Sequence, residues 1–329
     1  MMFGLEASLA IEIRIYLMNE IDAVSPRFFD NFRDLSDLLA EFGPYNGRYV
    51  ANYPSDWEKK LRDHLKHLPV IEQTKVKQKL SRYNLNGIKS ILIDNNKLEY
   101  SPNISWTENV EVLQKNKTFN DVIADLYDEG AIFQKWEDKV EEYRAKRERS
   151  IHLQGKPGEY IALIEPLLKK GPAAYFVDPY FRPTDEDNIS LIKKLFEKVA
   201  NNESYQLHFF IRKKRALEKN NHGSESKWDL DEYKKELEYC LSRFVRRGKS
   251  LTINLFEESK EFESHNRYFI TKYGALDFGK GFMRFNYSVA QIPVYIVDKG
   301  QHEELIDWYI SGKAAFKNID TITIENNDL

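Results

Sequence analysis

The run Gln154-Gly155-Lys156-Pro157-Gly158 constrains this chain more than any other feature, because the pattern of apolar residues changes across it. Two glycines and a proline within five residues interrupt both helix and strand. At 329 residues the chain is long for one core and comfortable for two. We therefore read residues 1–153 as one domain and 158–329 as another. The first has mainly helical periodicity and the second alternates strands with helices, so the expected fold class is α/β with a mostly helical N-terminal domain.

In the first domain, Ile11, Ile13, Ile15 and Leu17 alternate with Glu12, Arg14 and Tyr16, the period-2 mark of a half-buried strand. Phe28, Phe32, Leu35, Leu38, Leu39 and Phe42 recur at threes and fours, which predicts a helix stopped by Gly43-Pro44. Ser55 and Glu58 have capping-box spacing ahead of a helix burying Trp57, Leu61, Leu65 and Leu68. A further helix is expected over 71–83, a small hairpin over 91–100, helices over 106–113 and 119–126, and a last one through Trp136, Val140 and Tyr143. None of this carries a catalytic spacing, and the domain reads as a recognition or scaffold unit. His64 and His67 lie three apart on one helix, without an acidic or cysteine partner at ligand spacing. No metal site follows from them. Tyr45, Tyr49 and Tyr53 have the chemistry of base-stacking residues, although packing in the core or an ordinary aromatic surface explains them better.

Formal net charge is −3, so no overall basic field draws the chain to nucleic acid or a membrane, and an anion must be met by a local patch. The single cysteine, Cys240, excludes an internal disulfide and a cysteine-built zinc site, which fits a reducing compartment. No apolar stretch approaches the ~18–20 residues of a transmembrane helix, and the first 17 residues lack the plan of a signal peptide. The expected location is cytoplasmic, with no cofactor.

The second domain opens with a short apolar run, 173–177, leading into Asp178-Pro179-Tyr180. A helix is expected over 188–199, a strand over 207–211, a helix over 233–245 and strands over 251–256, 268–271, 294–297 and 319–324, with a helix over 303–310. The informative segment is 265–282. His265 and Arg267 stand two apart at the start of a strand, so imidazole and guanidinium face one ligand. A histidine there is suited to nucleophilic attack or proton donation at phosphorus, and an arginine forks onto phosphate oxygens. Gly279 and Gly281 allow close backbone approach.

With Asp178-Pro179-Tyr180 upstream and Gly279-Lys280-Gly281 downstream, this segment resembles the phospholipase D superfamily, whose hallmark is His-x-Lys followed by Asp. It looks closest to the phospholipase D-like C-terminal domain of MIT-domain proteins, over about the last half of the chain. The resemblance implies an α/β sandwich with a mixed sheet and a phosphoinositide-binding module. It assigns phosphate contact to His265, Arg267, Lys272 and Lys280, and support of the pocket to Asp178, Tyr180, Gly279 and Gly281. Four departures from the catalytic pattern stand out: Arg267 replaces the lysine, Lys272 falls where the acid belongs, Gly279-Lys280-Gly281 replaces the usual small-polar and asparagine arrangement, and only one motif is present. The leading expectation is thus a module that recognises a phosphorylated ligand, nucleic acid or phosphoinositide. The rival is a homodimeric, metal-independent phosphodiesterase or nuclease pairing two copies of His265. Arg212, Lys213, Lys214 and Arg215 would form a basic rim. By analogy of domain architecture, the chain would belong to a prokaryotic anti-phage defence system, with 1–153 contacting a protein partner.

Overall fold

Short apolar strands set between longer amphipathic helices build both halves of the chain, and each half closes its own sheet. The computed structural model describes residues 20–29, 31–82, 87–94, 98–124, 133–145, 150–153, 157–218, 227–257, 266–279, 292–313 and 317–325. The chain divides into two units, Met1–Arg149 and Ser150–Leu329.

In the first unit, β1 (Glu20–Val24), β2 (Arg48–Asn52), β3 (Leu92–Asp94), β4 (Val122–Ile123) and β5 (Phe133–Gln134) form one sheet ordered β3-β2-β1-β4-β5. Every pairing in it is parallel. The helices are α1 (Phe32–Glu41), α2 (Trp57–Leu65), α3 (Val70–Arg82), α4 (Trp106–Gln114) and α5 (Trp136–Ala145). Successive strand residues feed two separate cores. Val24, Val50 and Ile123 pack with Leu35, Leu38, Trp57, Leu61, Trp136 and Val140. Ala23, Ala51 and Val122 pack with Tyr53, Val110 and Phe119. A sheet buried on both faces in this way is the doubly wound arrangement.

The expectation from sequence is a mostly helical domain with a few strands. Helices do hold more of the unit's residues, but the strands form its centre and the unit is α/β. The expected hairpin over 91–100 is replaced by β3, whose Leu92 pairs parallel with Val50 of β2. The expected helix over 119–126 contains β4 instead. Both errors have one cause. Strands of two or three residues are too short to show an alternation, so local periodicity cannot distinguish them from helix or turn. The proposed capping box also fails: Asp56 is the cap of α2 and makes no side-chain cap bond, and Glu58 pairs with Arg62. A capping box does form at Ser105 and Glu108, ahead of α4. The strand expected over 11–17 lies outside the described residues.

The second unit holds an eight-stranded sheet ordered β13-β9-β8-β7-β10-β11-β12-β6. Its strands are β6 (Ser150–Leu153), β7 (Ala173–Val177), β8 (Tyr205–Arg212), β9 (Lys249–Glu257), β10 (Tyr268–Thr271), β11 (Gly274–Asp277), β12 (Ile292–Ile296) and β13 (Lys317–Glu325). β7, β8 and β9 run parallel, and every other pairing is antiparallel, so the sheet is mixed. The helices are α6 (Pro157–Lys170), α7 (Glu186–Lys198), α8 (Lys213–Ala216), α9 (Leu230–Leu241) and α10 (Lys299–Leu305). Phe209 of β8 stacks on Phe176 of β7 and on Phe181, with 4.7 Å between ring centroids in each case. Val177, Phe210, Phe256, Tyr268 and Ile270 form a further core with Leu305 and Tyr309. Among the described residues, no helix is long and apolar enough to cross a membrane.

Candidate functional site

Strand register brings the sequence-flagged residues of the second unit together. Tyr268 of β10 lies opposite Val177 of β7, so one step outward Arg267 meets Asp178. Directly opposed residues of an antiparallel pair point to the same face. The Arg267 Nε–H donates to Asp178 Oδ1 at 3.2 Å, and both side chains are 4% exposed. On its other side Arg267 continues the β10–β11 ladder. Its N–H donates to the Gly279 carbonyl at 3.1 Å and its carbonyl accepts from Phe278 N–H at 2.8 Å, while Nη1 donates to the same Gly279 oxygen at 3.4 Å.

Asp178 also accepts the Tyr180 N–H at 2.9 Å, turning the chain so that the Tyr180 ring lies beside both arginines. The Arg267 guanidinium is 5.2 Å from the ring centroid and that of Arg212 is 4.9 Å away. Arg212 closes β8, and its N–H donates to the Pro179 carbonyl at 3.3 Å. The cluster therefore sits at the carboxyl ends of β7 and β8, where loops rather than strands set the surface. Tyr180 is 37% exposed, whereas Arg267 is 3% exposed. Arg267 forms the floor, and Tyr180 with Arg212 forms the outer layer. A cation packed against an aromatic face keeps its charge and gains orientation.

Two local features fix the far wall. Gly279 adopts φ +55°, in the left-handed region, and no described residue lies within 4 Å of where its Cβ would be, so the backbone conformation is what selects glycine among the described contacts. Its N–H donates to Asp277 Oδ1 at 2.6 Å. Burial pushes the Asp277 carboxyl up, against the pull of that hydrogen bond.

The other candidates separate. Lys213 pairs with Asp320 at 2.7 Å and Arg215 with Glu218, so two of the four rim cations are already matched by carboxylates. Lys214 is exposed. Lys272 does not join Arg267: it lies in the turn between β10 and β11, about 16 Å away at ~3.3 Å per strand residue. His265, Lys280 and Gly281 lie outside the described residues. Among the described residues, no group of three or more His, Cys, Asp or Glu side chains could hold a metal ion. Sequence reasoning missed the shared stacking on Tyr180, because only the registers of β7 with β8 and with β10 make 178, 180, 212 and 267 neighbours.

The first unit carries a different polar cluster, at the amino edge of its sheet. Asp22 is fully buried, shares a 2.6 Å hydrogen bond with the Tyr143 hydroxyl and accepts from Asp121 N–H at 3.1 Å. Burial is the largest cause of a carboxyl pKa pushed up to about 8. Lys139 bridges Asp121 and Glu142 at 2.7 Å each, and the Arg48 guanidinium lies 3.6 Å from the Tyr143 ring centroid. Tyr49 and Tyr53, flagged as stacking candidates, are 1% and 2% exposed and belong to the interior.

No protein-family model matches this sequence, and no curated protein matches it significantly. The site must therefore be interpreted from its own geometry.

Proposed function

We propose that the second unit is a reader of phosphorylated ligands that binds without cleaving. The observation that carries this is the buried Arg267–Asp178 pair beneath Tyr180 and Arg212. Arginine stays protonated at any physiological pH and so cannot serve as a general acid. A carboxylate held by a buried guanidinium and a backbone N–H is a poor base. What this geometry does well is hold positive charge and an aromatic face in fixed orientation at a strand edge, which suits a phosphate flanked by a base or a sugar. The resemblance to phospholipase D-like binding modules supports the same reading, as does the mixed sheet. On this reading the first unit serves a partner, and a defence role is the biological setting we favour.

The test is retention of labelled single- and double-stranded DNA and RNA, and of phosphoinositide-containing vesicles, by the full chain in EDTA. Complexes should form without product. Arg212→Ala should weaken them about tenfold, the scale of one charge-assisted hydrogen bond. Cleavage by the wild type that disappears in His265→Ala would overturn the reading in favour of a dimeric phosphodiesterase.

A further inference from the structure

The first unit contains a second basic recess that the reading above does not use. It is a groove of about 380 Å³ lined by Arg27, Lys60, Asp63, His64 and His67. A volume of that order suits a small ligand. Arg27 lies in the loop that leaves the carboxyl end of β1, the strand shared by both halves of the doubly wound sheet. In such sheets ligands approach from the carboxyl ends of the strands. No glycine-rich phosphate loop follows β1, which continues instead as Ser25-Pro26-Arg27-Phe28-Phe29.

The walls are held from both sides. The Trp57 indole N–H donates to the Val24 carbonyl at 2.6 Å, and the His64 ring donates from Nε2 to the Phe29 carbonyl at 2.9 Å. These bonds attach α2 to both ends of the loop bearing Arg27. Within the groove, the Arg27 guanidinium has no side-chain partner among the described residues, and the exposed His67 imidazole interacts only electrostatically, with Asp63. Lys60 is paired only with Asp56 at 3.0 Å, and both are well exposed, a contact worth little in water. The one carboxylate, Asp63, is held by Lys66 at 2.6 Å. Among the described residues, two cations and two imidazoles thus face a recess whose one lining carboxylate, Asp63, is already paired with Lys66.

That balance separates two readings of the same histidines. A metal ion would need His64 and His67 to bind a cation beside Arg27 and Lys60, whose charges repel it. An anion meets the opposite situation. We propose that this groove binds the phosphoryl group of a small phosphorylated molecule, with Arg27 forking onto its oxygens and Lys60 and His67 completing the donor set. A tetrahedral anion with several terminal oxygens uses donors converging from a loop and from a helix, as these do. A planar carboxylate would leave some of them unmatched.

The experiment uses the full chain labelled with ¹⁵N-histidine and follows the imidazole resonances, assigned through His64→Gln and His67→Gln. Pyrophosphate and inorganic phosphate are titrated in turn, with acetate and zinc as comparators. The expected result is a saturable shift of the His64 and His67 signals with pyrophosphate and phosphate but not acetate. In Arg27→Ala the midpoint should rise about tenfold or more, and in Arg212→Ala it should stay unchanged, which keeps this site distinct from the one in the second unit. Saturable zinc binding at these two rings, or no saturable phosphate-dependent shift of them, would overturn the proposal. So would a pyrophosphate midpoint unchanged in Arg27→Ala. Circular dichroism of each variant distinguishes loss of binding from loss of fold.

Discussion

Arg267 and Asp178 show how little a residue's chemistry says about its role until its burial is known. As letters they offer a phosphate ligand and a turn residue; in place they are an ion pair with 4% of each side chain exposed. Removing one partner of such a pair strands the other charge, at a cost of about 3–5 kcal/mol. Arg267→Ala and Asp178→Ala should each lower the urea midpoint of the second unit substantially. The double change Arg267→Met with Asp178→Leu should recover most of that stability, since apolar side chains of similar size replace buried pairs at little net cost. It should still abolish ligand retention, because the floor under Tyr180 loses the guanidinium and its hydrogen-bond donors. Equal instability in single and double variants would show that the pair is not the unit of stability described here. Much of this site was legible: the sequence picks out 178, 180, 212 and 267 individually. Their adjacency was not, because it depends on the pairing of Tyr268 with Val177, which joins segments ninety-odd positions apart.

At the scale of elements, legibility follows burial pattern. α1, α2 and α7 present one apolar face each, and their periodicity predicts them to within a few residues. β7, β8 and β9 are long enough and apolar enough to read as buried strands. β4 and β5, at two residues each, carry no readable pattern, and so the first sheet was invisible as a sheet. Backbone constraints at the ends of elements are sharper, and two glycines test them. Gly248 enters β9 at φ +75°, and a Cβ built there would collide with the Glu203 carbonyl oxygen, part of a turn also held by Lys249 Nζ donating to the Asn202 carbonyl at 2.6 Å. Gly279 has φ +55° and no described residue within 4 Å of its Cβ position. Gly279→Ala should therefore cost only the left-handed penalty, about 1–2 kcal/mol. Gly248→Ala adds a backbone clash and should cost clearly more in the same urea titration. Similar losses at both positions would mean that the β9 entry relaxes at no cost.

For the molecule as a whole, buried titratable groups give the two units opposite responses to pH. In the second unit His302 is fully buried, with its ring at 2.8 Å from the Thr271 carbonyl, and burial pushes its pKa down; burial does the same to His208. Both stay neutral in the fold while the unfolded chain takes up protons below about pH 6.5. Their stabilisation is thus complete above that pH and declines as pH falls, by up to ~1.4 kcal/mol per unit for each ring. In the first unit the sign reverses. Asp22 has a folded value of about 8, against about 3.9 when unfolded. Its contribution is full below ~4 and is lost as pH rises towards 8, because only the unfolded chain can ionise it freely. Hydrogen exchange read peptide by peptide, corrected for the intrinsic pH dependence of exchange, should show the second unit losing protection between pH 6.5 and 5. The first unit should lose it between 6.5 and 8. Asp22→Asn isolates the second effect: Asn Nδ2 can donate to the Tyr143 oxygen and Oδ1 can still accept from Asp121 N–H, so the hydrogen bonds survive while the titration disappears. In that variant the first unit's protection should become flat from pH 6.5 to 8, with the second unit's acid response untouched. A first unit that still weakens towards pH 8 would place the titrating group elsewhere in the Glu20, Arg48, Asp121 and Lys139 network that surrounds it.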